Sequence, residues 1–253
     1  CMIGLLTGVS VGVGILIAHK TGGKDYDGIR KTVKTSIFFG TISGIVLTVG
    51  GLIFSEKLLT VMNTPSEIMD ESTLYLKIYF LSMIPMILYN MGSGIIRSSG
   101  NSKLPFYILV AGGLLNIISN ATFVIIFGMG VAGVAIATLI SQGITAILTV
   151  IFLFKENFLN LSDLKSFNLD FHILSKIIHY GLPAGIQSMI ITFSNIVVQF
   201  YINGYGSDAV AAYASYFKLE NFIWLPIVSI GQAITTFTAQ NAGAKNYERI
   251  RKG

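Results

Sequence analysis

A chain of 253 residues that is 53% hydrophobic and only 11% charged has too little polar surface to cover a water-soluble globule. With a mean hydropathy of +0.71, the solvent that fits is a bilayer. The net charge of +5 sits in short loops beside apolar stretches, where topology and anionic headgroups account for it, so no nucleic-acid partner is expected.

In chain order, apolar stretches run over Met2 to Ala18, Ser36 to Phe54, Ile78 to Ile96, Leu104 to Phe127, Val131 to Phe154, Ile177 to Ile202 and Ala209 to Ala239. Each matches the ~20 residues that carry a helix across about 30 Å of hydrocarbon. Runs such as Phe123 to Phe127 and Ile144 to Phe154 are apolar on every face, which excludes alternating barrel strands and leaves helices. Pro85 and Pro226 each remove a helix hydrogen bond at mid-span, and the last stretch is expected to tilt or bend at Pro226.

The connections alternate in charge. Lys20, Lys24, Arg30, Lys31 and Lys34, then Arg97 and Lys103, then Lys155, Lys165 and Lys176, and finally Lys245, Arg249, Arg251 and Lys252 fall in every second loop. The intervening loops hold Lys57 beside Glu56, Glu67, Asp70, Glu71 and Asp208. The positive-inside rule therefore makes the basic loops cytoplasmic and the protein a multi-pass protein of the inner (plasma) membrane.

An internal repeat sets the architecture. Ala18 to Lys31 and Ala239 to Lys252 align without gaps, with Ala18, Gly22, Lys24, Tyr26, Ile29, Arg30 and Lys31 matching Ala239, Gly243, Lys245, Tyr247, Ile250, Arg251 and Lys252. Both copies follow an apolar helix on the same predicted side, so the repeats share an orientation about an axis along the membrane normal. The expected fold is an all-α polytopic membrane protein of two six-helix lobes related by a pseudo-two-fold, with about seven helices in this chain. The lobes divide as 1–154 (helices 2 to 6), a cytoplasmic linker 155–176, and 177–253 (helices 7 and 8). On this count the first helix and the last four lie outside the sequence.

Several separated blocks then resemble the multidrug and toxic compound extrusion (MATE) exporters: Ala239-Gln240-Asn241-Ala242-Gly243-Ala244-Lys245, Gly181-Leu182-Pro183, Val210-Ala211-Ala212, Arg97-Ser98-Ser99-Gly100-Asn101 and Gly128-Met129-Gly130-Val131-Ala132-Gly133. The resemblance implies a secondary active antiporter that exports amphipathic, often cationic, drugs or metabolites by alternating access. It also implies no cofactor, a proton or sodium as coupling ion, a small organic substrate, a lipid surround and a monomeric state. Gly12, Gly14, Gly92 and Gly94 would allow the close backbone approach such rocking needs, or ordinary small-residue packing.

Asn116 and Asn120, four apart, share a helix face that Thr138 on the next helix can meet. In similar family members this constellation helps form a cation site, with an aspartate commonly matching Asn120. An amide oxygen coordinates sodium but takes up no proton at physiological pH, so the departure weakens a proton role. The alternative is plain interhelical hydrogen bonding, worth about 0.6–2 kcal/mol.

Asn195, Gln199 and Asn203 recur every four residues and Gln187 extends their stripe, marking a face toward protein or water. One branch of the family carries a functional glutamate where this chain has Ile191, which leaves that branch's sodium mechanism without its acid here. Tyr89, on the stretch Ile78 to Ile96, is a further substrate-cavity candidate because aromatic faces attract organic cations; packing and interfacial anchoring are the alternative use.

Other classes lack their signatures. His19, His172 and His179 have no metal-ligand spacing, Cys1 is the single cysteine, and no P-loop is present, so neither a catalytic site, a metal site nor direct ATP use is expected. A lipid-linked saccharide flippase of related fold would present several arginines to a pyrophosphate, whereas Arg97 is the one arginine beside a span. A membrane-embedded enzyme is the more distant alternative.

Overall fold

In the computed structural model, which describes residues 2–61, 64, 66–160 and 169–253, the described residues form helices and no strands. The elements are α1 (Met2–Gly22), α2 (Tyr26–Val61), a 3-10 turn (Ser66–Ile68), α3 (Met69–Leu81), α4 (Met83–Ser98), α5 (Lys103–Ala121), a π-helix (Thr122–Ile126), α6 (Gly130–Lys155), α7 (Phe171–Asn203), α8 (Ser207–Gly243) and α9 (Tyr247–Lys252). Among the described residues six spans are long and apolar enough to cross a membrane, with α3 and α4 counted as one. The remaining expected stretch, Met2 to Ala18, is α1, which has 21 residues.

Two boundaries differ from expectation. The stretch Ile78 to Ile96 is two helices, because Pro85 offers no N–H to the Leu81 carbonyl and its ring crowds that carbonyl; α3 stops at Leu81 and α4 restarts at Met83. Conversely, α7 begins at Phe171, so the end of the expected 155–176 linker is already helical, and residues 161–168, with Lys165, lie outside the described residues. Both α7 and α8 run on through their prolines, Pro183 and Pro226.

The chain forms two compact units, Cys1–Ile29 with Phe171–Gly253, and Arg30–Asp170. In the first, α1 and α7 pack antiparallel along small residues: a Cβ added at Gly4, Gly8 or Gly12 would meet Ser188, Gly185 and Ile177 in turn. Ile173, Ile177, Gly181 and Gly185 are buried at every fourth position of α7, which draws one straight seam along the helix. In a membrane such seams supply van der Waals contact that lipid cannot better.

In the second unit α6 lies along α3, α4 and α5. Its buried positions Gly133, Ala137, Ser141, Thr145, Thr149 and Leu153 again repeat every fourth residue and draw one face along the helix. Thr149 Cγ2 fits the space beside Gly92 on α4, and Thr145 Cγ2 fits that beside Gly112 on α5. On α2, Gly40 receives Met91 and Ile87, and Thr48 donates a 2.8 Å bond to the Phe80 carbonyl near the end of α3.

Candidate functional site

The α5–α6 seam carries the polar residues singled out from the sequence. Gly112, Asn116 and Asn120 succeed one another at one turn each, so the approach that Gly112 grants to Thr145 also brings Asn116 to α6 one turn later. There Asn116 Nδ2 donates to Ser141 Oγ at 3.1 Å, and Asn120 Nδ2 donates to Asn116 Oδ1 at 3.0 Å. Ser141 Oγ in turn donates to the Thr138 carbonyl at 3.0 Å. The bonds run one way, from Asn120 to the backbone of α6.

That direction leaves its first member incomplete. Asn120 Oδ1 is buried and meets no donor. In this orientation the oxygen is the free end, and turning the Asn120 amide alone would set two carbonyl oxygens against each other at Asn116. A buried amide oxygen without a partner costs about 1–3 kcal/mol, which a cation can recover. Just beyond it α5 widens into the π-helix, a form found often at functional sites, before Gly128 and Gly130, with φ of +64° and +54°, turn the chain into α6.

Asn116 and Asn120 are thus joined to each other, and the side chain they meet across the hairpin is Ser141, with Thr138 entering the chain through its carbonyl. The Thr138 hydroxyl donates to its own helix at the Val134 carbonyl, 3.0 Å away, and keeps its lone pairs free for another donor or a cation. Sequence reasoning missed Ser141; its signal was the three-residue spacing from Thr138, which places both on one face. Tyr89 stands apart, its hydroxyl reaching the Pro105 carbonyl at 3.5 Å, about 16 Å along α5 from Asn116.

The second polar group belongs to the other unit. On α7, Gln199 Nε2 donates to Asn203 Oδ1 at 2.7 Å, while Gln187, Asn195 and Asn203 are exposed. Gln187 is the polar member of a shallow groove otherwise lined by Leu182, Pro183, Ile186, Ile190 and Ile191. Such a lining suits an apolar molecule with one hydrogen-bonding group. No group of three or more His, Cys, Asp or Glu side chains gathers to hold a metal among the described residues.

The repeat seen in the sequence is also a structural repeat. Gly23, Lys24 and Asp25 donate their N–H groups to the carbonyls of His19, Thr21 and Lys20, and Ala244, Lys245 and Asn246 donate theirs to the aligned Gln240, Ala242 and Asn241. Lys24 and Lys245 both adopt the left-handed conformation, with φ of 54° and 57°. Asp25 caps α2 by accepting from Gly28 N, and Asn246 caps α9 by accepting from Arg249 N.

Known proteins resemble this chain in sequence and in fold. The chain is 31% identical to the "Probable multidrug resistance protein YoeA" of Bacillus subtilis over 99% of its own length and 56% of that protein's. It is 27% identical to the "Multidrug export protein MepA" of Staphylococcus aureus, over 95% of this chain and 53% of that one. A solved structure described as the "Outward-facing conformation of a multidrug resistance MATE family transporter of the MOP superfamily" superposes with a TM-score of 0.89 at 25% identity, covering 99% of this chain and 56% of its own. The chain therefore spans about half the length of the relatives it matches. The MatE family model matches residues 1–122 and 183–252, and on that match, with the fold and the relatives beside it, the chain belongs to the MatE (multidrug and toxic compound extrusion) family.

Proposed function

We propose that the intact protein exports amphipathic, often cationic, small organic molecules across the plasma membrane in exchange for sodium, with Asn116, Asn120 and Thr138 contributing to the ion site. The carrying observation is the unsatisfied Asn120 Oδ1 at the head of the Asn120–Asn116–Ser141 chain. The α5–α6 site offers neutral oxygens, so what it favours binding is a cation that keeps its charge and needs no base. One sodium ion returning through 100 mV supplies about 2.3 kcal/mol, enough for a modest export gradient without nucleotide.

The groove at Gln187 and the stripe of Asn195, Gln199 and Asn203, with Tyr89 on α4, are the surfaces we assign to substrate. The lobes 1–154 and 177–253, joined by 155–176, are the halves we expect to rock, with the basic loops cytoplasmic and the protein acting as a monomer in lipid. The charge of the α5–α6 site sets this reading apart from that of a flippase for a pyrophosphate-linked saccharide, which calls for clustered arginines.

The test uses the full-length protein. Sodium, and not potassium, is expected to raise its thermal midpoint, by the equivalent of about 2.7 kcal/mol at a hundredfold excess over Kd. Asn120→Ala should abolish that effect, and an imposed sodium gradient should drive dye export from vesicles. Export driven by protons alone, with the Asn120 variant unchanged, would remove this site from the mechanism; export lost only on ATP depletion would remove antiport altogether.

A further inference from the structure

Ser141 is buried on α6 and its hydroxyl is used twice, accepting from Asn116 Nδ2 at 3.1 Å and donating to the Thr138 carbonyl at 3.0 Å. A hydroxyl carries one hydrogen. Once that hydrogen is given to the backbone the oxygen can only accept, so Asn116 turns its N–H toward α6 and its Oδ1 toward Asn120. Asn120 must then donate, as it does at 3.0 Å, and its own oxygen becomes the free end of the chain.

An amide is nearly symmetric in shape, so turning Asn116 and Asn120 together gives a second sense in which no two oxygens collide. In that sense the Ser141 hydroxyl donates to Asn116, Asn116 donates to Asn120, and Asn120 presents N–H in place of oxygen. The first sense makes three hydrogen bonds and the second two, because the Thr138 carbonyl loses its side-chain donor. One net bond favours the oxygen-out sense about fivefold. A cation on Asn120 Oδ1 widens the gap: an amide polarised at its oxygen is a better donor, and each bond down to the Thr138 carbonyl strengthens in turn.

We propose that Ser141 is a positioning residue of the α5–α6 site. By committing its hydrogen to the Thr138 carbonyl it makes Asn120 present oxygen, and it relays the charge of a bound cation into the backbone of α6. Its value to sodium rests on the ion-site reading above, whereas the orientation of the amides does not, and the two are tested apart. An aspartate at position 120 needs no such partner, because a carboxylate offers oxygen whichever way it is turned.

The full-length protein is compared with Ser141→Ala, both in the parent and in an Asn120→Asp background, by sodium titration of the thermal midpoint at about pH 8, where a carboxylate is ordinarily ionised. Ser141→Ala should weaken sodium binding about fivefold in the parent and less than about twofold with Asn120→Asp. A side chain that only packs the seam would lower both alike. A second readout needs no sodium. In choline buffer, the infrared difference between the parent and Asn120→Ala should contain the carbonyl stretch of an amide oxygen without a donor. The same difference taken in the Ser141→Ala background should show that band at about half its intensity, since the two senses then make equal numbers of bonds. Ser141→Cys, of similar size with a weak donor, carries both comparisons if the alanine variant does not stay folded. A parent indifferent to sodium, with the band present and dependent on Ser141, removes the sodium reading and leaves the positioning role standing. A band indifferent to Ser141 overturns the proposal, and so does a sodium-binding parent whose affinity falls equally in both backgrounds or in neither.

Discussion

Asn120 is where a single atom decides most. Its amide spends its N–H on Asn116 and leaves a buried oxygen without a donor, whereas an aspartate there would offer a charge and a proton site. Asn120→Asp should therefore make sodium stabilisation pH-dependent: a carboxylate that takes up protons competes with sodium, so the rise in thermal midpoint should shrink as the pH falls. In the parent protein the same titration should stay flat over about pH 5 to 8, because an amide does not titrate there. Lys245 poses a different residue-scale question, since it holds a left-handed φ of 57° at a position where glycine is usual. Lys245→Gly should stabilise the turn by about 0.5–1 kcal/mol in thermal or denaturant unfolding, through relief of that conformation.

Between elements, the α5–α6 seam depends on a threonine methyl seated beside a glycine. A Cβ at Gly112 would collide with Thr145 Cγ2, and the Thr145 Cβ lies 3.7 Å away, outside the clash. Gly112→Ala should thus cost about 1–3 kcal/mol and push Asn116 away from Ser141. Thr145→Ser removes the clashing methyl and keeps the hydroxyl that bonds to the Gln142 carbonyl, so it should restore most of the loss in the double variant. Rescue measured by thermal midpoint, and recovery of sodium stabilisation with it, would tie the packing of the seam to the polar chain one turn away. The break between α3 and α4 at Pro85 belongs to the same scale: a missing N–H ends one helix about a turn before the proline.

At the scale of the molecule, the alternation of basic and acidic loops makes a topological prediction. Cysteines placed at Lys24, Lys103 and Lys245 should react with an impermeant thiol reagent only after the membrane is opened, and one at Glu67 should react in intact cells. Reaction of the lysine-site cysteines from outside would reverse the orientation. The units defined by contacts group α1 with α7 and α8, although chain order sets α1 in the first of the two expected lobes. Contact partners and repeat halves are different divisions of the same chain, and the two copies of the repeat touch where Gly22 meets the Gln240 carbonyl.

Much of this was legible before any coordinates. Hydropathy marked the spans because lipid leaves the backbone no partner outside a helix, while loop charge yields an expected sidedness that the thiol-labelling experiment tests. The repeat was legible in seven identities, yet identity undercounted it: Asp25 and Asn246 differ as letters and act alike as N-caps, since each needs only a side-chain oxygen. The Asn116–Asn120 face followed from helical periodicity, which fixes neighbours within one helix. Periodicity does not set the axial register between two helices, so it could not show that Ser141 and not the Thr138 hydroxyl would meet Asn116, or that Asn120 Oδ1 would be left alone. Nor could it place Gly22 against Gln240: contacts between residues far apart in the chain depend on how two surfaces close, and that is settled by shape complementarity across the whole seam.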